Sequence, residues 1–220
     1  MRTKAVIFGT GSFAELAHYF LTHDSTYIVH AFCADRDHMK QDTFCGLPLK
    51  PFETIEQDFP PGEYSMFIAV GYNKLNTLRE KYYNMAKAKG YTLLTYISSR
   101  ASFFASVIGD NCFIFEDNTV QPFVKIGSNV VLWSGNHIGH HGTIGDHVFI
   151  SSHVVVSGHC HVGSHTFIGV NATLRDGLTI GRRNIIGSGA LIMKDTEDDE
   201  VYSVARTKAS TKKSFDIENI

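Results

Sequence analysis

Every sixth residue from Ile108 to Ile192 is isoleucine, leucine or valine, fifteen positions without an exception. Glycine follows in eight cases, among them Gly109, Gly139, Gly163 and Gly187, and the fifth place of each hexad is mostly small or β-branched, as at Cys112, Val130, Val154 and Ala172. A six-residue period matches neither the 3.6-residue helix face nor the two-residue alternation of an ordinary strand. It suits a parallel β-helix, in which each hexad is a short strand plus a corner. The branched residue points into the prism, the small one fits beside it, and glycine is expected to serve the corner conformation. Three hexads close one coil, so residues 108–197 predict about five coils.

Upstream, the pattern changes to alternating strands and helices, which implies a small parallel sheet. KAVIFG (residues 4–9) reads as a buried strand, followed by G-T-G-S-F-A and a helix with Phe13, Leu16, Ala17, Phe20 and Leu21 on one face. YIVHAFCAD ends a second strand at Asp35, YSMFIAV (64–70) is a third, and YTLLTYIS (91–98) reads as the last, after a helix closed at Gly90. The ligand crevice of such a sheet lies beyond the strand C-termini, at the 9–14 loop, Asp35 and the 71–74 loop. A phosphate fits the helix N-terminus after the glycines, and Asp35 suits a ribose or base hydrogen bond. This Rossmann-like βαβ unit has half the size of a dinucleotide-binding domain, so a mononucleotide is expected. The organisation predicted is residues 1–98 for a Rossmann-like nucleotide-binding domain, 99–197 for the β-helix and 198–220 for a C-terminal tail.

The formal net charge of -2 gives no basic footprint for nucleic acid. No apolar run reaches membrane-spanning length, and the N-terminus lacks a signal-peptide pattern, so a cytoplasmic protein without nucleic-acid or membrane partners is expected. The four cysteines have no metal-knuckle spacing. Eight of the 12 histidines fall between residues 137 and 165. His141, His147, His153, His159 and His165 are all fourth in their hexads, and most are read as solvated corner residues. The sharper alternative is a zinc site of three converging imidazoles, built across a subunit boundary.

A half-Rossmann unit joined to an uninterrupted hexapeptide β-helix resembles the bacterial sugar acyltransferases related to sialic-acid O-acetyltransferases, and most of all the branch that N-acetylates nucleotide-linked amino sugars. The resemblance spans about residues 4–208. It implies a left-handed β-helix, a homotrimer with active sites between subunits, acetyl-CoA lying between neighbouring β-helices, and no metal. It also implies transfer to the amino group of a UDP-, dTDP- or GDP-linked amino deoxy sugar in surface polysaccharide biosynthesis. The family's histidine, proposed as general base, lies between two acids. The matching segment WSGNHIGHHG (133–142) puts it on His140, with Gly139 and His141 where the acids stand, so His141 and His137 remain rival bases. A second family histidine falls on Phe149, and the closing G-V-P-A-K becomes Ser203-Val204-Ala205-Arg206-Thr207, without proline. The resemblance maps substrate binding to Gly11, Ser12, Phe13, Asp35, Gly71 and Asn73, and the cofactor to Gly158, Val170 and Ser188. Phe13 replaces a histidine of some relatives. Sugar O-acetylation, a γ-type carbonic anhydrase and a non-catalytic nucleotide-sugar scaffold are the competing readings. The first of these shares the fold and active-site logic; the second lacks the histidine spacing that family uses.

Overall fold

The computed structural model describes residues 3–217. Four parallel strands and one antiparallel edge form the N-terminal sheet: β1 (Thr3–Phe8), β2 (Tyr27–Ala34), β3 (Thr43–Phe44), β4 (Leu47–Pro51) and β5 (Tyr64–Ile68), in the order β3-β4-β2-β1-β5. Strand β1 is fully buried from Ala5 to Ile7, as expected of a central parallel strand covered on both faces. Helix α1 (Ser12–His23) buries Ala14, Ala17 and Leu21. A short helix α2 (Ile55–Asp58) and α3 (Thr77–Ala88) complete the domain.

The stretch 91–98 does not form the last strand of this sheet. It touches the sheet at one bridge, Met66 to Leu93, and then enters the second domain, where Tyr96–Ile97 pairs with Phe113–Ile114. The β3–β4 hairpin, absent from the sequence reading, forms the opposite edge beside β2.

From Tyr96 onward the chain winds as a left-handed parallel β-helix of two-residue strands. Its three faces carry seven, six and five strands. Face A, from Tyr96–Ile97 to Val201–Tyr202, packs against the N-terminal domain through Phe113, Val131 and Phe149. Face B includes His137–Ile138, and face C includes Thr143–Ile144. Successive coils pair three hexads apart, as His137 with Val155 and Ile138 with Val156. The ladder runs past the expected five coils at both ends. Ser102 pairs with Thr119 and Ile185 with Val201, each closer in sequence than three full hexads, so the regular count breaks where the first and last coils begin. Seven strands at the usual spacing make a stack about 29 Å tall.

Branched first residues and small fifth residues together form one continuous core. Three fifth positions hold asparagine, buried at Asn118, Asn136 and Asn184; Asn118 Nδ2 donates to the Phe115 and Trp133 carbonyls, satisfying polar backbone inside the corner.

The corner conformation falls on the fourth residue of the hexad, not on the glycine after the branched one. All fourteen fourth positions from Asn111 to Gly189 have φ between 51° and 76°. Asparagine, aspartate and histidine tolerate this left-handed region better than most residues, which explains five histidines there. The second-position glycines answer a different need. A Cβ on Gly139 would sit 2.5 Å from Gly158 N, so they exist because the next coil passes too close for any side chain.

Candidate functional site

The chain turns from β1 into α1 through Gly9, whose φ of 123° and 2.8 Å Cβ clearance to the Ala69 carbonyl exclude any other residue. Gly11, by contrast, has open space where a Cβ would stand, at the mouth of a cleft of 670 Å³. Gly11, Ser12, Phe13, Asp35, Gly71 and Asn73 all line this cleft, so the structure brings the six expected substrate residues together. Phe13 lies there with its ring committed to an aromatic cluster, edge-on to Phe67 and Phe113 at 5.8 and 5.7 Å. Asp35 accepts a hydrogen bond from the Tyr82 hydroxyl. Burial and this carboxylate push the Tyr82 phenol up to about 12, so it stays a donor at neutral pH.

The 71–76 loop is tied to the β-helix by a fully buried arginine. Arg79, on α3, donates to Gly71 O (3.1 Å), Asn76 Oδ1 (2.9 Å), Asn129 O (3.1 Å) and His147 O (3.0 Å). No carboxylate among the described residues neutralises it, and burial lowers its pKa to about 9. The preceding Lys74, Leu75 and Asn76 are all left-handed, with φ of 50–65°. Such a run is unfavourable for L-residues unless it is held, and Arg79 and the Asn76 Nδ2 bond to His165 O hold it.

Beside the first cleft is a second, of 320 Å³, between Tyr72, Trp133, Phe149, Ser151, Ser152 and Val170; Tyr72 borders both. The sequence reading does not single out Tyr72 or Trp133, although an aromatic directly after Gly71 and the single tryptophan were the available signals. Phe149 packs 5.0 Å from Tyr72 and 5.9 Å from Trp133, contributing a ring where an imidazole was expected by resemblance. Ser188 is one coil beyond Val170 on the same corner, between faces A and B.

His140 and Gly158 occupy a different corner, between faces B and C. His140 N donates to Gln121 Oε1 at 3.0 Å, and a Cβ on Gly158 would touch the His140 ring at 3.0–3.1 Å. His140 Nδ1 and His141 Nδ1 are 3.0 Å apart. The His141 ring stacks on His159 at 5.2 Å and 15°, and Phe123 lies 4.6 Å away. His137 stands on the flat of face B, between Thr119 and Val155. Thus Gly158 joins the three histidine candidates, whereas Val170 lines the second cleft and Ser188 lies one coil beyond it; one chain does not bring all three cofactor residues together.

The solvated-corner reading fails for His147 and His165. Both are largely covered by α3, with Nε2 atoms 3.5 and 3.1 Å from the Glu80 carboxylate. Burial, with the nearby His165, lowers the His147 pKa. Zinc geometry does not need a second subunit either, since His140, His141 and His159 offer three ring nitrogens within 4.8 Å in one chain. Cys112 and Cys160 point inward; burial pushes the Cys112 thiol up to about 12 and raises that of Cys160, which disfavours either as a nucleophile.

No helix among the described residues is long and apolar enough to cross a membrane. The pattern of the bacterial transferase hexapeptide (six repeats) matches residues 105–140 and 159–194. No curated protein matches significantly by sequence. Among solved structures, the chain is similar to the acetyltransferase domain of PglB from Neisseria gonorrhoeae FA1090, with TM-score 0.80 and 22% identity over 91% of this chain and 96% of that one. A mutant perosamine N-acetyltransferase from Caulobacter crescentus, in complex with CoA and GDP-perosamine, gives 0.79 and 22% over 96% and 99%. WeeI from Acinetobacter baumannii AYE gives 0.76 and 21% over 90% and 96%. The chain therefore carries bacterial transferase hexapeptide repeats over residues 105–140 and 159–194, and it shares the fold of these three structures, a small α/β domain followed by a left-handed β-helix.

Proposed function

We propose that the protein is an acetyl-CoA-dependent N-acetyltransferase acting on the amino group of a UDP-, dTDP- or GDP-linked amino deoxy sugar, in surface polysaccharide biosynthesis. The observation that carries this reading is the presence, on one chain, of a mononucleotide-sized cleft and an exposed imidazole set against a side-chain-free backbone position. The relatives of this fold include a protein solved with CoA and GDP-perosamine and another solved with acetyl-CoA.

The cleft and the imidazole lie on different corners of one prism. A homotrimer would bring the nucleotide cleft of one protomer, with its Val170 and Ser188, against the His140–Gly158 corner of the next. Closed cyclic assembly is the ordinary way to join two such unlike surfaces.

In the proposed step the sugar amine attacks the thioester carbonyl, forming the C–N bond while His140 Nε2 takes the ammonium proton. The Gly158 N–H donates to the tetrahedral oxyanion. Collapse breaks the C–S bond, and the imidazolium returns its proton to the CoA thiolate. His140 is preferred over His137 and His141 because its ring, with the Asp176 carboxylate, is what a Cβ on Gly158 would meet first. In the productive tautomer His140 Nδ1–H donates to His141 Nδ1, leaving Nε2 as the base. This chemistry requires no metal.

The test is free-thiol release from acetyl-CoA against a panel of nucleotide-linked amino sugars and their hydroxyl counterparts. Turnover with an amino sugar is expected, and His140→Ala should lose about 10²–10⁴-fold in kcat. A loss below about tenfold removes His140 from the base role. Release with hydroxyl sugars alone reassigns the enzyme to O-acetylation. Silence throughout, with no acetyl-CoA effect on melting, favours a binding scaffold.

A further inference from the structure

Among the described residues, two groups of side chains come close enough to share a cation, one formed by Glu80, His147 and His165 and the other by His140, His141 and His159. Their hydrogen bonds separate them. In the first, Asn129 Oδ1 accepts from Arg79 Nε at 3.2 Å and Asn111 Nδ2 at 2.7 Å, so Asn129 Nδ2 is the atom that faces His147 Nδ1 at 2.9 Å. A carboxamide nitrogen only donates. His147 Nδ1 is therefore the acceptor, and in the neutral ring the proton sits on Nε2, the nitrogen that faces Glu80. The lone pair a cation would need is already protonated, so this group does not offer three ligand atoms.

The second group has no such lock. All three residues are exposed, and their ring centroids form a near-equilateral triangle with sides of 5.0–5.2 Å. The 3.0 Å between the Nδ1 atoms of His140 and His141 is close to the edge of a zinc coordination tetrahedron, about 3.3 Å for Zn–N bonds of about 2.0–2.1 Å. The backbone holds the set in place, since His159 N donates to His140 O at 2.8 Å and both His141 and His159 sit in the fixed left-handed corner. An all-imidazole set selects a borderline-soft ion over Mg²⁺ or Ca²⁺, which prefer oxygen.

We propose that His140, His141 and His159 bind one Zn²⁺, and that the bound ion switches acetyl transfer off. The second half rests on His140 as base. A ligand bond at His140 Nδ1 moves the neutral ring's single proton to Nε2, and the atom that must accept the amine proton becomes a donor. No net proton is gained or lost, and no oxidant is involved.

Calorimetric titration of the metal-free full-length protein with ZnCl₂ tests the site without any activity measurement. One Zn²⁺ per chain is expected, with affinity reduced at least tenfold in His159→Asn and unchanged in His147→Asn. Asparagine is chosen because it keeps the left-handed corner, as Asn171 does naturally. No binding by the wild type, or equal binding by His159→Asn, overturns the site. In the thiol-release assay, Zn²⁺ should inhibit the wild type and leave His159→Asn active. Inhibition of both alike, or of neither, overturns the switch. A protein that binds Zn²⁺ through His159 but never turns over supports the site and overturns the transferase reading.

Discussion

Replacing Gly139 by alanine separates a steric cost from a catalytic one. The new Cβ would lie 2.5 Å from Gly158 N, 2.6 Å from Ser157 C and 2.9 Å from Gly158 Cα, all backbone atoms that cannot rotate away. To reach the 3.4 Å of ordinary contact, the coil bearing Gly158 must move by about 0.9 Å. Overpacking of this kind costs about 1–3 kcal/mol, or roughly 2–12 °C of melting temperature in a chain of this size. The same movement carries the Gly158 N–H away from the thioester oxygen, and a misplacement of about 1 Å costs about 10²-fold in rate. Gly163→Ala is the matched control. Its Cβ would meet Arg182 N and Gly181 C at 2.6 Å, an equal clash on a corner that holds neither His140 nor Gly158. Melting curves should therefore fall alike in the two variants, while kcat in the thiol-release assay falls about 10²-fold only in Gly139→Ala. If the two variants keep kcat within threefold of one another, Gly158 is not the oxyanion donor.

Arg79→Met relieves a buried charge but orphans four carbonyl or carboxamide oxygens at about 1–3 kcal/mol each, and a net loss of stability is expected by denaturant unfolding. Arg79→Lys should not rescue it, because one ammonium cannot reach acceptors spread across two domains. Tyr82→Phe removes the hydroxyl that donates to Asp35 and should weaken nucleotide binding about five- to tenfold by calorimetry, the worth of one such hydrogen bond. The His147 pKa is lowered on folding, so the unfolded chain binds the extra proton first and stability falls as pH drops below about 6.5 towards the lower folded value. His147→Asn should flatten that part of the wild-type profile of melting temperature against pH; an unchanged slope between pH 5 and 7 refutes the linkage.

The β-helix was legible because each coil must repeat the same packing, and that constraint writes Ile, Leu or Val at a fixed interval. The interval could not reveal Ile97, Phe103 or Tyr202, which pack against the same core where the first and last coils are shortened. Glycine was correctly located and wrongly explained, since a sequence does not distinguish a residue needed for its φ from one needed for a neighbouring coil's approach. The larger cleft was legible from the ends of three strands. His147 and His165 were misread because the helix that covers them, α3, belongs to the other domain and lies far upstream in the chain. His140, His141 and Gly158 are near one another through the three-hexad coil, but no repeat could disclose that their corner lies away from the cleft.

The Arg79 clamp has a consequence for recombination between related proteins. Under the proposed function, a chimaera that exchanges the N-terminal domain to acquire a different sugar nucleotide must preserve more than the sheet and its loops. The incoming α3 must deliver a guanidinium to the Asn129 and His147 carbonyls, and the recipient β-helix must still present them. Crossovers placed in the 89–95 segment would therefore succeed only between parents that match at these positions, so the N-terminal domain is inherited together with part of the β-helix surface.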